Sequence, residues 1–435
     1  MKNHYELVIK NCMILTMDEK NRTFERGYIG VENGIITYIG SEKVRGEEEI
    51  DGSGKVAIPG LINCHTHSPM TLFRGIAEDL PLKKWLENTI WPLEKRLRPH
   101  HVYWGALLAC LEMVRTGTTC FNDQYFFMDE VARAVEKIGL RASLSWGLLE
   151  LHDPERGEKE LRKGVQFAEK YMKYANGRIV TKLGPHAEYS CSLEFLKRVR
   201  TEAHRLGIGI HMHLAESKYY VSEYIKRLGI HPVLSLAKIN FLSHDVIVAH
   251  CIHIGDEEIS TLTRYGVKVA YNPTANMKVA LGIPRIVDML KAGIIVGIGT
   301  DGPASNNSLD MFREMKQAAL LQKIHYGDPT VLPARKVLRM ATIDAAKVLG
   351  LEHTIGSLEV GKRADIVLVN LKGPHLTPLH DIYATLVYAA SGADVDTVLV
   401  DGKIILHQGE ILTVDEHQVI EKAIRASREL LEVVS

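Results

Sequence analysis

From Val56 to about residue 355 the chain repeats one pattern eight times: a short apolar run of strand length, then a longer stretch with helical periodicity. Strands alternating with helices build parallel βαβ units. Eight units in about 300 residues predict a (β/α)8 TIM-like barrel. The strands are expected at 56–65, 118–122, 142–146, 179–183, 208–213, 246–250, 267–271 and 296–300, with a helix over 103–114 stopped by Gly117. A doubly wound open sheet is the alternative. It would carry a Gly-rich phosphate loop after an early strand, and the sequence has none.

Both flanks read differently. Residues 7–9, 28–31 and 35–39 are short β runs, with a hairpin signal at Asn33-Gly34, a pair that tolerates positive φ. Strand runs return at 361–369 and 397–405, the second with an Asp401-Gly402 turn. The two flanks are therefore expected to form one small discontinuous β-sandwich: 1–55 and 356–435 around a barrel at 56–355. Thr413 and Glu416 fit a capping box for a last amphipathic helix over 413–434, with Val419, Ile420, Ala423, Ile424, Leu430 and Leu431 as its apolar stripe.

The barrel strands end in polar chemistry: His65 and His67, His186, His213, His250 and Asp301. Active sites of such barrels lie at the strands' C-terminal face. Strand side chains alternate, so His65 and His67 share a face and reach one point. Imidazoles converging there suit a divalent cation such as zinc, iron or nickel. His213 is the expected third ligand and Asp301 the fourth, which leaves a position for water. His211 is read as a satisfied core histidine. Glu216, just past strand 5, is placed to reach substrate without binding metal, and His250 faces the same mouth. A second metal would need a bridging group. Lys182 lies too early in strand 4 for that, so one divalent metal per subunit, zinc foremost, is expected. Cys64 alternates to the opposite face and is read as packing; His244 and His253 are read as peripheral and solvated.

Lys+Arg and Asp+Glu are equal at 53 each, which gives no basis for a polyanionic partner: neither nucleic acid nor an anionic membrane is expected. No run is apolar and long enough to span a bilayer, and the first ten residues lack a signal-peptide core. Six scattered cysteines without a Cys-x-x-Cys suit reduced thiols in a cytoplasmic enzyme.

Together these motifs resemble the amidohydrolase superfamily: 59-Pro-Gly-Leu-Ile-Asn-Cys-His-Thr-His-67, His213-Leu-Ala-Glu216, the His250 strand, Thr300-Asp301 and Gly361-Lys-Arg-Ala-Asp365. Within it the chain is similar to the deaminases of 5′-methylthioadenosine, S-adenosylhomocysteine and 5′-deoxyadenosine. That closer likeness is carried by Asp301-Gly-Pro-Ala-Ser305 and the residues to Asp310, by 272–276 (Asn-Pro-Thr-Ala-Asn), by Trp91-Pro-Leu-Glu94 and by Gly184-Pro-His186. The resemblance implies a metal-dependent hydrolytic deaminase acting on a small nucleoside. Glu94 would bond the ribose hydroxyls, His186, Glu216 and Asp301 would contact substrate, and Glu216, Asp301 and His250 would move protons. It also implies a homo-oligomer. One departure stands out: bacterial relatives often carry Arg before the Gly-Leu that follows strand 3, and this chain has Trp146. An indole cannot replace a guanidinium for a carboxylate, which tilts the expectation toward 5′-deoxyadenosine or 5′-methylthioadenosine unless Arg156 or Arg162 restores a cation. The rival readings are deamination of guanine or cytosine, hydrolysis of a triazine, and a non-catalytic scaffold. The unrelated His-x-Glu and Pro-Cys-x-x-Cys deaminase pattern is absent.

Overall fold

At Pro59-Gly60 the chain passes from one sheet into another, in the middle of what reads as a single apolar strand. The expected strand 56–65 is therefore two. Lys55–Pro59 pairs antiparallel with Ile366–Asn370 and parallel with Met13 and Ile14, while Leu61–Thr66 opens the barrel. Gly60 sits so close to Thr119 that a Cβ would lie 2.0 Å from its Oγ1. Only glycine fits that crossing.

The computed structural model describes residues 4–76 and 78–432. Its first strands are β1 (His4–Leu15), β2 (Thr23–Glu32), β3 (Ile35–Gly40), β4 (Arg45–Asp51) and β5 (Lys55–Pro59). The barrel is β6 (Leu61–Thr66), β7 (Thr118–Tyr125), β8 (Arg141–Leu148), β9 (Ile179–Pro185), β10 (Ile210–Leu214), β11 (Val246–His250), β12 (Lys268–Tyr271) and β13 (Val296–Ile298). The chain returns to the first sheet with β14 (Ile366–Asn370), β15 (Val395–Val400), β16 (Lys403–His407) and β17 (Glu410–Ile411).

Neighbouring barrel strands are parallel and follow sequence order, with helices between them, so the eight strands form a nearly closed barrel. The seam between β6 and β13 is bridged by the Asn63 side chain, which donates to Thr300 Oγ1 (2.7 Å) and accepts from the Thr300 amide (3.0 Å). The Asp301 amide donates to the His65 carbonyl across the same seam (2.9 Å). First and last strands are thus locked together beside the site.

The two chain ends share one nine-stranded sheet, in the order β17-β16-β15-β14-β5-β1-β2-β3, with β4 beside β1. Strand alternation splits its residues between two cores. Ile366, Leu368 and Leu399 pack with Ile9 and Ile29, while Val367, Val369, Val398 and Val400 join the barrel core. Buried Arg141 of β8 ties the barrel to this sheet through Asp365, at 3.0 and 3.2 Å, and Asp401. The hairpin at Asn33-Gly34 forms as expected, with φ of 51° and 74°.

The last helix departs from expectation. It runs Glu416–Leu431 and is capped by Asp415, whose carboxylate accepts from the Gln418 amide (3.0 Å). Thr413 instead donates to the Ile138 carbonyl. Its buried stripe is Val419, Ala423, Ala426 and Leu430, and Ile420 and Ile424 are exposed. The expected end at Val434 lies outside the described residues. No helix among the described residues is long and apolar enough to cross a membrane.

Candidate active site

Three barrel strands deliver four ligand-type side chains to one point. His65 lies one residue from the end of β6 and His67 follows it, His213 lies on β10, and Asp301 follows β13. Their nearest nitrogen and oxygen atoms all lie within 4.8 Å of one another. His65 Nε2 and His67 Nε2 are each 3.3 Å from Asp301 Oδ1, and His67 Nε2 is 3.1 Å from His213 Nε2.

The opposite ring nitrogens set the tautomers. His67 Nδ1 donates to the Gln124 carbonyl (2.6 Å) and His213 Nδ1 to the His186 carbonyl (2.7 Å). Both Nε2 atoms therefore present lone pairs inward. Two facing lone pairs repel unless a cation sits between them. His65 Nε2 is buried and has no hydrogen-bond partner. Three imidazole lone pairs and a carboxylate oxygen around one point suit a divalent cation in an open, four-ligand arrangement. Burial, followed by neighbouring imidazoles, holds His213 well below its ordinary pKa. Burial also lowers His65 to about 4, against the pull of the Asp301 carboxylate 3.3 Å away. Burial alone would raise Asp301. The adjacent His65 ring and the surrounding imidazoles outweigh it and favour the ionised carboxylate. Ser305 Oγ donates to Asp301 Oδ2 (2.7 Å), which leaves Oδ1 for the cluster.

The other expected residues surround the same cavity. Glu216, His186 and Glu94 line it with His67, His213 and Asp301, under a roof of Trp85, Leu86, Ile90 and Trp91. Glu216 Oε1 is 3.9 Å from His250 Nε2. His250 Nδ1 donates to Asn276 Oδ1 (2.8 Å), so its Nε2 lone pair faces inward too. Burial, reinforced by the Asp301 charge, raises the Glu216 carboxyl above its ordinary value. Burial pushes Glu94 up to about 7 and lowers His186 to about 3.

His211 and His253 differ from expectation, while His244, Cys64 and Lys182 lie as expected. His211 is buried as expected, but its Nε2 meets His65 Nδ1 at 2.8 Å, so it orients His65 rather than merely packing. His253 is half-buried rather than solvated, and burial lowers its pKa. His244 is exposed, as expected. Cys64 faces Ala345, away from the cluster, and all six cysteines are free and buried. Lys182 Nζ donates to the Leu349 carbonyl (3.3 Å), outside the cluster. Sequence reasoning assigned no role to Gln124, Asn276, Ser305 or Glu188. Asn276 and Ser305 stood inside quoted motifs, but only the fold reveals what they touch.

A second cavity adjoins the first and shares Trp91, Glu94, Phe126 and Leu149 with it. Trp146 forms one wall, its indole N–H donating to Glu160 Oε2 (3.1 Å), while Lys163 donates to Glu160 Oε1 (2.8 Å). Arg156 also lines this cavity. Arg162 is mostly exposed, 3.9 Å from Glu158.

A separate surface group, His100, His101 and Glu429, is also spaced for a metal. There His101 Nδ1 accepts the Arg98 amide, which commits its proton to Nε2 and works against ligation.

A parallel barrel with histidines and an aspartate converging at its strand ends is the architecture of a metal-dependent hydrolase. The amidohydrolase family model matches residues 56–405, and the chain belongs to that family. It is 49% identical over 427 residues to the 5′-deoxyadenosine deaminase of Methanosarcina acetivorans, covering 98% of each chain. It is equally, 49%, identical over 433 residues to the 5-methylthioadenosine/S-adenosylhomocysteine deaminase of Desulforudis audaxviator, covering 98% of this chain and all of that one. Among solved structures, a zinc-bound adenosine deaminase from Xanthomonas campestris superposes with a TM-score of 0.95 at 31% identity, covering 99% of this chain and 100% of that one.

Proposed function

We propose that the protein is a zinc-dependent hydrolytic deaminase that converts 5′-modified adenosines to the inosine analogues and ammonia. One zinc per chain would be held by His65, His67, His213 and Asp301. When bound, the metal supplies Lewis acidity that brings water's pKa at the site near neutrality. The remaining chemistry belongs to side chains. Protonated Glu216 donates to ring nitrogen 1, which makes carbon 6 electrophilic. Asp301, with His250 beside it, accepts the proton released by the attacking water. The new C–O bond forms at carbon 6, a proton passes to the exocyclic amine, the C–N bond breaks and ammonia leaves. Glu94 accepts hydrogen bonds from the ribose diol, a geometry a carboxylate serves well, and His186 contacts the nucleoside.

The observation that carries this reading is the Glu216 carboxyl. It is held toward its protonated form by burial, in the cavity that also contains the ligand cluster and Glu94. The similarity to two nucleoside deaminases supports the same class. The adjoining cavity suits the 5′ substituent. Trp146, Phe126 and Leu149 offer apolar contact to a methyl or methylthio group, and Arg156, rather than Arg162, lines the cavity beside Lys95 and Lys163 as a guanidinium for a homocysteine carboxylate. Cytoplasmic residence, on the six free cysteines, and a homo-oligomer, on family resemblance, belong to the same proposal.

The test is ammonia release from a panel of 5′-deoxyadenosine, 5′-methylthioadenosine, S-adenosylhomocysteine, adenosine, guanine, cytosine and a triazine. Turnover of the 5′-modified adenosines above the rest is expected. Preference for a free base or the triazine overturns it.

A further inference from the structure

Immediately before Glu216, Ala215 adopts a left-handed backbone with φ of 50°. A residue with a Cβ is strained there. Ala215 is fully buried, so water cannot satisfy its polar groups. The loop after β11 holds the carbonyl side of this turn. The Cys251 amide donates to the Leu214 carbonyl (3.0 Å), and the Ile252 and His253 amides donate to the Ala215 carbonyl (3.1 and 3.0 Å). The Ala215 amide has a different partner, Glu188 Oε1 at 3.2 Å. Glu188 follows β9 and is 1% exposed, and its second oxygen has no partner among the described residues. It is thus the one side chain in a set of main-chain clamps around the turn that aims Glu216.

We propose that Glu188 is a positioning residue for Glu216: it restrains the strained 214–215 peptide and so keeps the Glu216 carboxyl directed into the cavity. The inference rests on the reading of Glu216 as the proton donor. Glu188 does not touch substrate. Without its acceptor the buried Ala215 amide loses its bond, and the peptide gains a reason to rotate toward an unstrained conformation. Glu216 would turn with it. A carboxyl that must meet one ring nitrogen loses efficiency with small misplacements.

The test compares Glu188→Ala, Glu188→Gln and the double variant Glu188→Ala/Ala215→Gly in the metal-loaded full chain, by steady-state kinetics, elemental analysis and crystallography. Glu188→Ala is expected to lower kcat about 10–100-fold, the scale of one lost buried partner, with KM and metal content held. Glutamine keeps an acceptor and should restore kcat to within a few-fold of wild type. Glycine adopts the left-handed backbone without strain, so the double variant should recover part of the loss. The Glu188→Ala crystal structure should show Ala215 out of its left-handed conformation and Glu216 displaced. Wild-type kcat in Glu188→Ala, a glutamine variant as impaired as alanine, or an undisplaced Glu216 overturns the proposal. If the wild type deaminates none of the adenosines, the proposed function falls instead, and the crystallographic comparison still decides whether Glu188 holds this turn.

Discussion

His67 Nε2 and His213 Nε2 stand 3.1 Å apart, and each ring has already committed its Nδ1 proton to a main-chain carbonyl. Neither nitrogen can donate to the other. The contact is comfortable only around a cation, so the fold stores repulsion that a metal relieves.

Chelation should therefore destabilise the protein as well as silence it. A ligand bound only by the folded state and present at about 100 times its Kd stabilises by about 2.7 kcal/mol. Thermal unfolding before and after dialysis against a chelator should show a drop in Tm that zinc restores. An unchanged Tm would mean the cluster is already satisfied without metal.

Glu216→Gln should lower kcat by about 10²–10⁴-fold, the range for one general acid–base group, and leave metal content intact. Elemental analysis beside kinetics checks both halves. Loss of metal in that variant would make Glu216 a ligand. The same group should be visible in the pH profile. Burial raises its pKa, so the protonated form persists above the ordinary glutamate range, and kcat/KM should fall as rising pH ionises it.

Glu188 predicts a pH dependence of stability. Burial pushes its carboxyl from 4.5 up to about 8 in the folded chain. Between those values the folded state binds a proton that the unfolded state has released, so stability from this group falls as pH rises from about 4.5 to about 8. Glu188→Gln cannot titrate. Its urea-unfolding free energy should vary less across that window than the wild type's, and an equally steep curve contradicts the assignment.

Arg156→Ala should raise KM for S-adenosylhomocysteine about 10–100-fold, the range for a hydrogen bond to a charged group, with 5′-methylthioadenosine little affected. Equal effects on both would show that Arg156 does not read the tail.

Arg141→Ala should cost about 3–5 kcal/mol in denaturant unfolding, because it strands the buried Asp365 carboxylate. A loss below about 1 kcal/mol would mean the barrel and the outer sheet do not depend on this pair.

The barrel was readable because β-strand period and helix period alternate so regularly, and part of the His/Asp cluster because a two-residue spacing on a strand puts His65 and His67 on one face. The crossing at Pro59-Gly60 was not. The apolar run continues through it, and only the neighbouring Thr119 explains the glycine. Thr413 misled because a capping box is a local pattern, and a competing bond to Ile138 lies 275 residues away in sequence. The contacts of His211 and Glu188 were illegible for a similar reason. Their partners, His65 and Ala215, lie far away in sequence, and no local pattern encodes those pairings.

The most direct test is an anomalous-scattering map of the zinc-loaded crystal, collected at the zinc edge. One peak per chain is predicted, with His65, His67 and His213 Nε2 and an Asp301 oxygen at about 2.0–2.2 Å. Two peaks in the cavity, or a single peak that leaves His213 or Asp301 out of contact, would contradict the account.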